Sequence, residues 1–170
     1  MDADERYAAN RKLHEAVRQI RGRLLNHVAV IDVEIGLILA SYFCSSEAKR
    51  DRLMSDVFSD PSYGLRRKSA LLKRIVESNF ADILRDYEEQ FSKFGKLRKF
   101  RNVLAHSMID VSEGAHRSSE HQVGFVTFRN AERQVRVVTF REAEDYEVIA
   151  NDFSGWLRGI ASLLGVRLGS

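Results

Sequence analysis

From Leu13 to Tyr42 the apolar residues return every three or four positions: Leu13, Val17, Ile20, Leu24, Val28, Ile31, Ile35, Ile38 and Tyr42. A strand alternates every second residue and cannot gather such a set on one face, whereas a helix of about 3.6 residues per turn places them all along one side. The spacing predicts a single helix from about Glu5 to Phe43. At 1.5 Å per residue it would be ~55–60 Å long. A stripe of that length is buried only by other helices packed lengthwise against it. That requirement sets the expected fold class as all-α.

The rest of the chain supplies those helices. Ser45-Ser46-Glu47 stops the first helix and caps the next, which is expected from about Glu47 to Phe58. SDPSYG, with Pro61 and Gly64, reads as a loop. A third helix is expected from about Leu65 to Asn79 and a fourth from about Ala81 to His106. VSEGAHRSSEHQ is a polar loop. The period then changes: GFVTF and QVRVVTF flank Arg129-Asn130-Ala131-Glu132-Arg133 and predict a β-hairpin. Thr139 and Glu142 stand three apart, the pattern of a capping box opening a last helix. That helix carries Ala143, Tyr146, Ile149, Ala150, Phe153, Leu157, Ile160, Ala161 and Leu164, and ends near Gly165. The expected architecture is a bundle of four to five helices with a β-hairpin inserted before the last one.

Composition bounds what such a fold can do. A chain of 170 residues with 44% hydrophobic and 30% charged residues fits one domain, residues 1–170, with a core of its own. One cysteine, Cys44, excludes an internal disulfide and points to a reducing compartment. Asp32 and Glu34 interrupt the most apolar run, VAVIDVEIGLILASYF, so no membrane partner is expected. A net charge of +3 permits a nucleic-acid partner without demanding one. His14, His27, His116 and His121 have no partner at metal-site spacing, and there is neither GxxxxGK[ST] nor GxGxxG. Neither a metal nor another cofactor is therefore expected.

The anomaly is on the fourth helix. At about 100° per residue, Leu84, Tyr87, Phe91 and Phe94 share one stripe. Continuing that stripe leads to Arg98, Arg101 and Asn102, then Ala105, with His106 one turn beyond Asn102. A buried, unpaired cation costs several kcal/mol, so this cluster must be paired or line a cleft. Asp32 is the expected partner for Arg101 or Arg98. From Lys93 to Arg101 the chain carries five cations (Lys93, Lys96, Arg98, Lys99, Arg101) and no acid. Arg66, Arg67, Lys68, Lys73 and Arg74 add charge on the third helix. These runs suit an anionic ligand, although a solvated face balanced by acids elsewhere is the usual reading of a charge run. His106 at a helix C-terminus also suits the negative pole of the helix dipole.

RNVLAH, an arginine, a polar residue and a histidine closing the fourth helix, resembles the Arg-x(four to six)-His motif of the HEPN superfamily. The outline of long first helix, motif helix and closing helix is similar as well; the hairpin is an addition to the minimal pattern. The resemblance implies a metal-independent endoribonuclease leaving 2′,3′-cyclic phosphate ends, with Arg101, Asn102 and His106 as catalytic residues; the run of cations beside them then offers Lys96, Arg98 and Lys99 as substrate-binding residues. It also implies a homodimer in which two motifs face each other, RNA as substrate, and a toxin or defence role with a cognate antitoxin protein as partner. The other reading it leaves is an inactive module that binds a nucleotide, RNA or protein.

Overall fold

The computed structural model describes residues 3–112, 115, 122–166 and 168. Its elements run α1 (Ala3–Phe43), α2 (Glu47–Leu53), a π-helical stretch (Met54–Phe58), a 3-10 turn (Pro61–Tyr63), α3 (Leu65–Asn79) and α4 (Tyr87–His106). Then come β1 (Met108–Ile109), β2 (Gln122–Arg129), β3 (Glu132–Thr139) and α5 (Phe140–Leu163). The protein is mainly helical, with one small antiparallel sheet in the order β1-β2-β3. The expected hairpin is present, and the short strand β1 adds a third member to it. Most of the polar loop, with His116 and His121, lies outside the described residues.

The chain divides into two compact units, Met1–His27 with Leu97–Val148, and Val28–Lys96 with Ile149–Ser170. In the first, Leu13, Val17, Ile20 and Leu24 of α1 are buried together with Leu97, Phe100 and Leu104 of α4. The inner face of the sheet adds Val123, Phe125 and Val138. In the second, Ile31, Ile35 and Ile38 of α1 are buried with Leu72 and Val76 of α3 and Phe153, Leu157 and Ile160 of α5. Phe94 stacks on Phe153 there, with centroids 4.2 Å apart.

Local chemistry explains most boundaries. Asp60 accepts from the Ser62 N–H at 2.6 Å and caps the 3-10 turn that begins at Pro61. The Glu142 N–H donates to Thr139 Oγ1 at 3.0 Å, the cap that opens α5. At its far end Val166 N–H reaches Ala161 O at 2.8 Å while Gly165 takes φ +66°, a left-handed stop that favours glycine. Asn130 and Ala131 both have positive φ, which fits the two-residue turn closing the hairpin. The fourth helix starts later than expected, because residues 81–86 form turns instead.

Asp32 and Glu34 of α1 are both paired within the second unit. Lys68 Nζ sits 2.7 Å from Asp32 Oδ1. Ser154 Oγ donates to Glu34 Oε2 at 2.7 Å, with Arg158 Nε 4.0 Å from Oε1. Asp32 is therefore not the partner of Arg101 or Arg98. The apolar window of α1, with a mean hydropathy of 1.7, is long enough to cross a membrane by length and composition, despite those two acids. Half of that window is buried by the chain itself, as in a core helix.

Candidate functional site

The core side of α4 does not follow the stripe that the sequence suggests. The buried row beyond Phe94 is Leu97, Phe100 and Leu104. Asn102 and His106 lie about 140° and 180° round the helix from Leu97, and both are exposed. The apolar seam therefore does not end in the polar trio. It passes on the other side of the helix from Asn102 and His106, which need no buried counter-charge.

Arg101, half-buried, lies between the two sides. Its Nη1 donates to Asn102 Oδ1 at 3.3 Å, so these two side chains are brought together. His106 follows Asn102 by one turn, on the same exposed side. It is the last residue of α4, where the helix dipole favours positive charge. Lys99 is exposed and Arg98 half-buried. Lys96 is exposed and belongs to the second unit.

The other cations are mostly engaged. Lys93 pairs with Glu89 at 2.7 Å, and that hydrogen bond raises its pKa. Lys68 is buried against Asp32, Lys73 reaches Glu77 at 3.4 Å, and Arg67 Nη1 donates to Ser62 O at 3.0 Å. The run on α3 is thus largely structural. Lys99, Asn102 and His106 form the polar face of α4 in the first unit.

What fixes the end of this helix was not read from the sequence. Arg21 of α1 donates through Nη2 to the carbonyl of Ser107, the residue after His106. Its guanidinium lies 5.3 Å from the Phe125 ring centroid, and burial pulls its pKa below the ordinary arginine value. Ser107 is itself buried, and its Oγ has no hydrogen-bond partner among the described residues. Met108 then pairs with Val126. One signal was available: Arg21 stands four after Val17 and three before Leu24, on the flank of the buried stripe.

Beneath the same helix, Phe100 stacks on Tyr146 at 4.0 Å and carries the Arg136 guanidinium 5.4 Å from its centroid. The polar face is thus mounted on a well-packed underside. It is an open helix surface. In the first unit, a cavity of about 340 Å³ is lined by Asp110, Ser112, Gln122, Gly124, Val135 and Val137, none of them from the trio. In the second, one of about 460 Å³ lies among Leu37, Ser41, Glu47, Arg50, Asp51 and Met54. Among the described residues, no three His, Cys, Asp or Glu side chains converge.

No family model matches the chain, and neither a curated protein nor a solved structure is similar to it.

Proposed function

We propose that the chain is a HEPN-like, metal-independent endoribonuclease, acting as a symmetric dimer in which two α4 termini share one RNA. The observation that carries the reading is that Arg101 is bonded to Asn102, and that His106 stands one turn beyond Asn102 on the same exposed side of the helix end. RNA brings its own nucleophile, the 2′-hydroxyl. One His106 takes the 2′-hydroxyl proton as the oxygen attacks phosphorus; the second gives a proton to the departing 5′-oxygen. Arg101 holds phosphate oxygens in its fork as charge builds on them. Asn102 orients Arg101, and Lys99 and Arg98 attract the neighbouring phosphates. The products are a 2′,3′-cyclic phosphate and a 5′-hydroxyl. The assigned setting is a toxin or defence effector of the cytoplasm, restrained by a cognate antitoxin.

A second reading keeps the same face as a non-cutting module that binds RNA or a nucleotide. It is favoured by the single Arg–His pair of each chain and by the Asn102 oxygen already engaged by Arg101.

The test is incubation with RNA in excess EDTA, with the fragment ends identified. Cyclic phosphate ends that disappear in both His106→Ala and Arg101→Ala support the enzyme. Binding without cutting gives the second reading. Wild-type protein that does neither removes both.

A further inference from the structure

Among the described residues, the sheet leaves β3 as a free edge of eight residues, Glu132–Thr139, of which all but Val138 are exposed. Which of its backbone groups point outward follows from the ladder. Gly124 O of β2 accepts from Asp110 N at 2.8 Å, so the polar groups of Gly124 face away from β3. Its partner Val137 therefore turns its own N–H and C=O to the open edge, and by alternation so do Arg133 and Val135.

The outer face of the sheet is apolar next to this edge. Met108 is opposite Val126, and Val126 is opposite Val135, which makes one row across the three strands. Met108, Val135, Val137 and Phe128 are 58%, 41%, 49% and 60% exposed. Charged side chains usually shield such an edge. Here the two arginines of β3 are turned back onto their own unit: Arg133 to Asp110 at 2.8 Å, and Arg136 to Glu142 at 2.6 Å.

We infer that β3 is an interaction surface for a second copy of this chain, the two β3 strands pairing antiparallel about a twofold axis at Val135. Charge and strand overlap together choose the register. With the axis at Arg136, two arginines would stand face to face. With it at Gln134 or at Val137, the overlap within Glu132–Thr139 shrinks at both ends. Centred on Val135, Val135 faces its own counterpart, and the row Met108–Val126–Val135 runs on unbroken into the second copy. Glu132 then stands diagonal to the Arg136 of the other copy and would add a second carboxylate to the Glu142 that Arg136 already holds, twice. No like charges are directly opposed. Two three-stranded sheets become one of six strands. The inference does not rest on the ribonuclease reading.

The experiment uses the full chain. Light scattering should give an even multiple of the 19.5 kDa chain mass, and Val135→Asp should halve it with circular dichroism unchanged. Directly opposed residues of this kind have Cα atoms about 5.5 Å apart, within disulfide range. Mild oxidation of Val135→Cys should therefore give a covalent dimer joined at residue 135, mapped by mass spectrometry. Val137→Cys is equally exposed but would sit ~13 Å from its counterpart, and should not cross-link. The same cross-link should form in a His106→Ala background, which separates this outcome from loss of RNA cleavage. A monomeric mass, an oligomer indifferent to Val135→Asp, or cross-linking at 137 instead of 135 would each overturn the inference. If Val135→Asp fails to fold, the pair of cysteine variants decides alone.

Discussion

Lys68 Nζ lies 2.7 Å from Asp32 Oδ1, in a pair whose lysine side chain is 6% exposed and whose aspartate is 34% exposed. The two partners are therefore unequal. Removing Asp32 strands a buried cation, whereas removing Lys68 leaves a carboxylate that water can reach. Asp32→Ala is expected to cost ~3 kcal/mol in urea unfolding and Lys68→Met distinctly less. The double variant Asp32→Leu with Lys68→Met should recover most of the loss. Equal costs for the two single variants would contradict this asymmetry.

Phe100 is fully buried, stacked on Tyr146 and covered by Arg136. Phe100→Ala should destabilise by ~3–5 kcal/mol, the range for emptying a packed aromatic site. Thermal unfolding checks it. A loss under about 1 kcal/mol would mean that the underside of α4 is looser than its packing indicates.

His106 and Asn102 are exposed, so their removal should leave stability within about 0.5 kcal/mol. Under the proposed function, His106→Ala lowers RNA cleavage by about 10²-fold or more. Arg101→Lys should fail to restore activity, because an ammonium lacks the planar fork that holds two phosphate oxygens. Cleavage rates measured alongside unfolding curves separate lost chemistry from lost fold. Full activity in Arg101→Lys would argue for a simple point charge.

Gly124 and Gly36 should respond oppositely to alanine. A Cβ on Gly124 would stand 2.7 Å from Asp110 Cβ, which is held by the Asp110 N–H bond to Gly124 O and by Arg133. Gly124→Ala should cost ~1–3 kcal/mol. A Cβ on Gly36 would meet the Met54 thioether end at 3.2 Å, and that flexible end can move aside. Gly36→Ala should be neutral or stabilising, by up to about 1 kcal/mol from helix propensity. Paired denaturation curves check both.

The Asp60 carboxyl is held below the usual aspartate range, first by the Ser62 hydroxyl and then by the Ser62 N–H. A depressed folded-state pKa contributes stability above the unfolded value and loses it as pH falls through the folded one. Carboxyl NMR titration should place the Asp60 midpoint below ~3.9, and Ser62→Ala should move it back upward. No upward movement would assign the depression elsewhere.

Much of the fold was legible because it rests on local repetition. The spacing of α1, the bounds of α3 and the Thr139 cap of α5 all follow from neighbours in the chain. β1 was not legible, since Met108–Ile109 is too short to show a period and exists through its pairing with Phe125 and Val126. Asp32 found Lys68 across thirty-five intervening positions, and no local pattern signals such a choice. The trio Arg101, Asn102 and His106 was visible as residues, but not its placement. α4 carries apolar side chains on several sides, and tertiary packing selected Leu97, Phe100 and Leu104 over the continuation from Phe91. That selection turned Asn102 and His106 outward.

Asp32 and Glu34 are two positions apart on α1, about 200° round its axis, and each is fastened to a different helix. A roll of α1 in either direction would tear Asp32 from Lys68 or Glu34 from Ser154. Greasy contacts alone would tolerate such a rotation, as a smooth shaft turns in its bearing. The acids act as keys in that shaft, fixing its angular setting through Val28–Lys96 and Ile149–Ser170.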